Sequence, residues 1–258
     1  MARTSRIPIG LLGSMVLLAA LTTPVAAQDE AFVRVVHASP DAPNVDVWVD
    51  GETVLTDVPF TAVSDYLPLA AGTYEIQVTA TGSTDPVIAA DLTLEAGTSY
   101  TVAATGLLAD IAPVVLIDDR APASGQSKLR VFHASPSAPA TVDVAVTDGP
   151  VLVEGLAYPD ATDYLTVDAG TYPLEIRAAG DSAAALTLEA TLEAGENYTA
   201  IAMDGGEAGV QVIVTTEAMA MPDTATGQPA APLALVGALL IALAITTAMP
   251  QLSRRVRV

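Results

Sequence analysis

The chain has 258 residues, a formal net charge of −20 and no cysteine. This length suits one large domain or two ordinary ones, and the lack of cysteine excludes disulfides, thiol chemistry and thiolate metal sites. All 30 acidic residues but only five basic ones lie between Asp29 and Asp223, and the resulting net charge of −25 disfavours binding to nucleic acid or anionic lipid.

Residues 1–27 are predicted to form a signal peptide. The chain opens with the basic segment MARTSR, continues through the apolar run IPIGLLGSMVLLAAL, and places the small residues Val25 and Ala27 ahead of Gln28. This order is typical of export signals, so the mature chain is expected to begin at Gln28. An uncleaved N-terminal anchor is the alternative, although the apolar run is short for a membrane span.

The region between the termini contains an internal repeat. The stretch RVVHASPDAPNVDVWVDG begins at Arg34, and RVFHASPSAPATVDVAVTDG begins at Arg130. The elements DYL, AGTY and LEAG also recur at matching places, so a duplicated domain is predicted rather than a short-period array. We expect one domain over residues 30–121 and a second over 127–217, joined by the linker APASGQS.

Apolar residues alternate with polar ones through most of each copy. In VDVWVDG, Val45 and Val47 are expected to face the core, while Asp46, Trp48 and Asp50 face outward. Seven or eight such segments per copy, separated by Gly, Pro and Asp, predict an all-β fold of two tandem immunoglobulin-like antiparallel β-sandwich domains. The segments LEAGTSY and LEAGENY also resemble a tyrosine corner, in which Tyr100 and Tyr198 would bond back to the backbone before a strand.

The repeated phrase H-A-S-P contains the only two histidines of the chain. Its prolines remove backbone donors and end the first strand, its serines are typical turn residues, and its histidines are expected to bond the backbone of a loop. We therefore interpret it as a structural motif made of His37, Ser39, Pro40, His133, Ser135 and Pro136.

The phrase H-A-S-P-D-A-P, with the V-D-V and AGTY elements after it, resembles the bacterial family of domain of unknown function 4397. The resemblance covers residues 31–120 and 128–217. It implies an exported, often tandem, immunoglobulin-like module without an established activity. The second copy departs from the pattern at Ser137, which takes the place of Asp41, so a role for Asp41 is not expected to carry over.

Three chemical alternatives compete with the structural interpretation. A catalytic set of His37, Ser39 and Asp41 is disfavoured, because neighbours in one strand do not converge and no nucleophile elbow is present. One histidine per copy is too few for a transition-metal site. Calcium is the better candidate, with Asp118 and Asp119 as ligands, although no EF-hand loop occurs.

The C-terminal part is predicted to anchor the chain. A stalk over residues 218–231 leads to an apolar segment at 232–250 that is long enough to cross a membrane, and a basic tail follows at 251–258. The segment MPDTATG also resembles a cell-wall sorting signal, with possible cleavage after Thr224, but its first and last positions depart from that motif.

These features together predict a non-catalytic bacterial surface protein, exported, anchored by one membrane segment and without a cofactor. It would act as a spacer, an adhesion module or a ligand-display module. The alternative is a receptor domain for carbohydrate or another small ligand, with calcium as a stabilising ion and Trp48 as the aromatic contact. No particular protein or carbohydrate partner can be named from the sequence.

Overall fold

A computed structural model describes residues 30–121, 124–206 and 209–217. The predicted signal peptide, the stalk with Thr224, the membrane segment and the basic tail lie outside these residues. Within them, no helix has the length and apolar character needed to cross a membrane.

Each copy of the repeat forms eight strands. The strands of the first copy are β1 (Glu30–Ala38), β2 (Val45–Val49), β3 (Glu52–Val58), β4 (Leu67–Ala70), β5 (Gly72–Ala80), β6 (Pro86–Leu94), β7 (Ser99–Thr105) and β8 (Ala112–Asp118). Those of the second are β9 (Gln126–His133), β10 (Thr141–Val146), β11 (Val151–Ala157), β12 (Leu165–Asp168), β13 (Gly170–Ala178), β14 (Leu186–Leu192), β15 (Asn197–Asp204) and β16 (Val210–Thr216). We call the two sets of strands the first and second sandwich.

Each sandwich consists of two four-stranded sheets. The first has the orders β4-β1-β7-β8 and β3-β2-β5-β6, and the second repeats them as β12-β9-β15-β16 and β11-β10-β13-β14. The all-β prediction is therefore confirmed at the level of two sandwich-like units.

The sheets are not wholly antiparallel, in contrast to the prediction. β1 pairs with β7 in parallel, and β9 pairs with β15 in the same way. Between these partners the chain passes through the other sheet and returns in its original direction. Alternating hydrophobicity reveals which face of a strand is buried but carries no information about strand direction, so this pairing could not be predicted.

β1 and β9 are buried on both faces. In β1, Val33 packs against Leu94 of the facing sheet in its own sandwich, whereas Val36 packs against Phe132 of the second sandwich. Their sequences VRVVHA and LRVFHA accordingly carry apolar residues on both faces, as is typical of strands covered on two sides.

The four sheets therefore stack as four layers. The two sheets that contain β1 and β9 face each other in the middle, where an apolar cluster includes Val36, Ala103, Phe132, Ile201 and Met203, all fully buried. The sheets that contain β2 and β10 lie on the outside. We call these the outer sheet of the first and of the second sandwich.

A tyrosine anchors the bend before the third strand of each inner sheet. The backbone N–H of Glu95 donates to the Tyr100 hydroxyl at 3.0 Å, and Glu193 donates to Tyr198 at the same distance. Both rings are buried. Each bond joins the end of an outer-sheet strand to the start of an inner-sheet strand, and so fixes the crossover between layers.

Candidate functional site

Both histidines lie at the ends of the central strands and are almost completely buried, at 0% exposure for His37 and 1% for His133. The Nε2 atom of His37 lies 3.1 Å from the Pro43 carbonyl oxygen, and that of His133 lies 2.9 Å from Pro139. Because a carbonyl only accepts, Nε2 carries the proton and donates in both copies. Each ring thereby holds its proline-rich loop against the strand end.

The remaining members of the H-A-S-P phrase do not assemble a catalytic set. The Nδ1 atom of His37 accepts from the backbone N–H of Ser39 at 3.4 Å, so it does not face the Ser39 hydroxyl. Asp41 accepts instead from the backbone N–H of Leu108 at 2.7 Å. The structure therefore separates the three side chains of the catalytic alternative.

In the second copy, which has Ser137 in place of Asp41, a carboxylate from β15 bonds the equivalent loop. Asp204, at the end of β15, accepts hydrogen bonds from the hydroxyls of Ser135 and Ser137. In the first copy the loop carries the acid and bonds the β7–β8 connection, whereas in the second copy β15 carries the acid and bonds the loop. This exchange keeps a carboxylate between the same two segments.

Burial lowers the pKa of His37, against a smaller opposing effect of its bond to Pro43. A histidine whose folded pKa lies below its unfolded value of about 6.5 stabilises the fold above that pH and loses this contribution as the pH falls. His37 is therefore held neutral at physiological pH.

We expect the free energy of unfolding to fall between about pH 7 and pH 5, by at most about 1.4 kcal/mol per pH unit for one group. In a His37→Gln variant, whose amide can still donate to Pro43, this fall should be smaller. Urea unfolding of the full-length chain at several pH values measures both slopes. Identical slopes in the two proteins would contradict a buried neutral His37.

Asp46 and Asp143 are turn anchors rather than outward-facing carboxylates. Asp46 accepts from the backbone N–H groups of Asp57 and Gly82, and Asp143 accepts from Gly155 and Gly180. These backbone hydrogen bonds lower the pKa of both carboxyls. Alternation predicts that both residues face away from the core, but it does not reveal that the adjoining turns cover them.

Asp118, one of the two calcium candidates, lies in a buried group of charges between the sandwiches. Its Oδ1 accepts from Arg130 Nη2 at 2.5 Å, and its Oδ2 accepts from the Thr101 hydroxyl at 2.6 Å. Asp119 accepts from Lys128 Nζ at 2.6 Å and from the backbone N–H of Ala121 at 2.9 Å. Protein donors thus already surround both carboxylates, and the described residues contain no group of three or more His, Cys, Asp or Glu side chains placed to hold a metal ion.

The residue of the second copy that is equivalent to Asp118 is Glu217, which follows β16. Its Oε1 accepts from Arg34 Nη2 at 2.7 Å, so an arginine of the first sandwich bonds an acid of the second. Arg130 of the second sandwich bonds Asp118 of the first in return. We call Arg34, Asp118, Arg130 and Glu217 the interdomain cluster. Its two short ion pairs are reciprocal, since each copy gives one arginine and one carboxylate to the other. Each arginine also lies near the carboxylate of its own copy, at 3.8 Å from Arg34 to Asp118 and 3.9 Å from Arg130 to Glu217.

The rest of the cluster repeats this symmetry. Arg34 Nε donates to Thr101 at 2.7 Å, and Arg130 Nε donates to Thr199 at 3.2 Å. The Arg34 guanidinium lies 5.0 Å from the centre of the Tyr66 ring, and that of Arg130 lies 4.7 Å from the Tyr164 ring. The repeat therefore duplicated a complete half of the cluster.

Tyr66 and Arg120 close the cluster on one side. The Tyr66 hydroxyl lies within hydrogen-bonding distance of both Asp118 and Glu217, and burial raises its pKa, so it stays protonated as a donor. Arg120 stacks on the Tyr66 ring at 4.3 Å and donates to the Glu217 carbonyl oxygen at 3.0 Å. The roles of the arginines, Tyr66 and Glu217 were not predicted from the sequence, although the recurrence of RV before the phrase and of DYL marked the positions of Arg34, Arg130 and Tyr66.

The four charges of the cluster cancel, and each is at least nine-tenths buried. Isolated charges are very costly to bury, whereas paired and hydrogen-bonded charges are tolerated. Removing one member leaves an uncompensated buried charge, so the cluster makes contact between the sandwiches dependent on all four residues.

A Glu217→Gln variant should therefore lose about 3 to 5 kcal/mol of unfolding free energy, because it leaves a net positive charge in the buried cluster. Asp119→Asn is the matched control. It breaks the part-exposed pair with Lys128 and should cost less than about 1 kcal/mol. Denaturant unfolding of the full-length chain measures both losses, and similar losses in the two variants would contradict the role of the cluster.

Trp48 lies half-buried on the outer sheet of the first sandwich, and its Nε1–H donates to the Thr79 hydroxyl at 3.1 Å. Trp48 does not line either of the two best-formed hollows among the described residues. These hollows have volumes of about 30 and 20 Å³, whereas small-ligand pockets usually measure about 300 to 1,000 Å³. Neither hollow has room for a ligand of ordinary size.

Comparison with known proteins identifies a family. The family model described as Domain of unknown function (DUF4397) matches residues 31–145 and 140–228. No curated protein matches the chain.

Solved structures give only distant similarities. The Bacillus anthracis TIE protein is 10% identical with a TM-score of 0.24, and the match covers 68% of this chain and 34% of that one. A family 26 carbohydrate-binding module from Eubacterium rectale Amy13K, solved with maltoheptaose, is 8% identical with a TM-score of 0.24, covering 75% and 98%. A candidate cell adhesion protein from Bacteroides fragilis is 10% identical with a TM-score of 0.19, covering 76% and 100%. These scores are too low to transfer a function.

Proposed function

The chain belongs to the family of domain of unknown function 4397, and from this premise we propose that it is a non-catalytic bacterial surface protein whose two immunoglobulin-like modules form one rigid spacer. The spacer presents the two outer sheets to the surroundings for adhesion or ligand display. The observation that carries this proposal is the interdomain cluster, because reciprocal buried ion pairs hold the sandwiches in one arrangement.

The apolar contacts around the cluster support a rigid pair. Val36 and Ala103 of the first sandwich pack with Phe132 and Ile201 of the second in one buried cluster. Interfaces that bury apolar side chains and charges together resist hinge motion, whereas small polar interfaces allow it. A rigid pair keeps its outer faces at a fixed separation, which is the property that a spacer needs.

The sequence features of the termini support the cellular setting. A signal peptide would export the chain, and a C-terminal membrane segment with a basic flank would retain it at the surface. The net charge of −25 between Asp29 and Asp223 would keep the exported part soluble. The non-catalytic assignment is supported by the structural use of His37, Ser39 and Asp41, which are the residues of the catalytic alternative.

Spin-label distance measurements test the rigidity directly. The chain has no native cysteine, so Thr93→Cys and Thr191→Cys place one label on each outer sheet, at equivalent exposed positions. We expect a single narrow distance distribution in the full-length chain, because the cluster fixes the sandwiches.

Glu217→Gln in the labelled chain should broaden that distribution, and Asp119→Asn should leave it narrow. A broad distribution in the otherwise unchanged chain would show a flexible tandem and would overturn the rigid-spacer proposal.

A second candidate function is binding of a carbohydrate or another small ligand, as a surface receptor. It is favoured by the half-buried ring of Trp48 on an outer face, since aromatic rings of this kind stack on sugars and other flat or cationic groups. This candidate is compatible with a rigid spacer, because the ligand would lie on the displayed sheet.

A further inference from the structure

The outer sheet of the first sandwich presents an aromatic ring beside acidic residues. Trp48 on β2 lies directly opposite Gln77 on β5, which lies opposite Ala89 on β6. Two residues along, Glu75 lies directly opposite Asp91, and both are exposed. Because side chains two apart on a strand share a face, the ring and both carboxylates lie on the same side of the sheet.

The Trp48 ring is held in a fixed position. Its only hydrogen-bonding group, the indole N–H, donates to Thr79, which is 1% exposed. The indole N–H therefore needs no polar partner from a ligand, and the exposed part of the half-buried ring is left for apolar or cation contact. A fixed indole is the aromatic group that binds Lys and Arg cations best.

The carboxylates on this face have no basic partner in their own sandwich. Arg34 and Arg120 are the only basic residues between positions 30 and 121, and both lie at the interdomain cluster. Within the described residues, the Glu75 carboxylate accepts only from the neutral Gln77 amide, at 2.6 Å. Like charges directly opposite each other on neighbouring strands destabilise a sheet, so stability does not account for the pair of Glu75 and Asp91.

The second sandwich contains its own cation on the equivalent face. Arg177 on β13 donates to Glu175 at 3.2 Å, and Ala145 stands where the first sandwich has Trp48. The outer sheet of the second sandwich thus has room for an arginine that pairs with a carboxylate on the same strand, β13. In the first sandwich that arginine is absent, and an aromatic ring is present instead.

We propose that the face formed by Trp48, Glu75 and Asp91 binds a basic, extended polypeptide segment of another protein. One Lys or Arg side chain lies on the Trp48 ring, and a second lies between the two carboxylates. This proposal rests on the display function above and names its ligand.

The spacing of the face fits an extended chain. The Trp48 row and the Glu75 row are two residues apart along the strands, about 6.6 Å, and the midpoint of Glu75 and Asp91 lies one and a half strand spacings from β2, about 7 Å. The two contact points are therefore about 10 Å apart on the face. In an extended peptide, side chains at positions i and i+2 point the same way and start about 6.6 Å apart, and long Lys or Arg side chains spread over the remaining distance. The negative net charge of the exported part also attracts a basic segment from a distance and repels anionic polymers.

Trp48 is the only tryptophan, so its fluorescence reports binding directly. The probe is a capped Gly-Ser-Arg-Thr-Arg-Ser-Gly peptide, titrated into the purified full-length chain at low salt. We expect a saturable fluorescence change that weakens as salt is added. The same peptide with citrulline for both arginines should leave the fluorescence unchanged.

Substitutions locate the binding face. Glu75→Gln with Asp91→Asn should weaken binding about tenfold, as expected for two exposed charge contacts. Asp181→Asn with Glu189→Gln removes the same charge from exposed positions of the second sandwich and should weaken binding less than about twofold. Trp48→Ala, read by titration calorimetry, should weaken binding about two- to fivefold. The fold should accept this change, because Ala145 occupies the equivalent place.

Four results would overturn the proposal: no saturable change with the arginine peptide, equal binding of the citrulline peptide, equal weakening by the two double variants, or binding of a cationic amino-sugar oligomer in place of the peptide. None of these results bears on the width of the spin-label distance distribution, so the rigid-spacer proposal is tested separately.

Discussion

The arrangement of this protein depends on the burial of two arginines and two carboxylates between its sandwiches. Arg34 reaches Glu217 and Arg130 reaches Asp118, so each ion pair joins one copy of the repeat to the other. A buried guanidinium is stable only with its carboxylate in place. Within its own copy each arginine reaches a carboxylate only at 3.8 or 3.9 Å, so the short ion pairs form only when the two copies are in contact.

This constraint explains why the repeated phrase is conserved between the two copies in its structural parts and differs elsewhere. The arginine and the tyrosine of DYL recur because they form the interdomain cluster. The histidine recurs because it bonds the proline-rich loop. The outer sheets are free of that interface, and there the copies differ, with Trp48 in one and Ala145 with Arg177 in the other. The two copies have thus kept the residues of the interdomain cluster and differ on their outer sheets.

Much of the fold could be predicted from the sequence. The repeat gave the two units, the alternation of VDVWVD gave the strands, and the LEAG-x-x-Y segments indicated the tyrosines that bond the bends. Parallel pairing of β1 with β7 and the side chains that join the copies could not be predicted, because alternation shows that a residue is buried but not what covers it. Asp118 resembled a cation ligand, and Glu217 had no predicted role as the last residue of the second domain, since their partners lie 12 and 183 residues away in the chain.

Scanning calorimetry of the full-length chain tests most directly whether the interdomain cluster unites the sandwiches. If it does, the described strands unfold in one transition, with a ratio of calorimetric to van't Hoff enthalpy of about 1. Two resolved transitions, or a ratio of about 2, would show that the sandwiches unfold independently and would contradict the account.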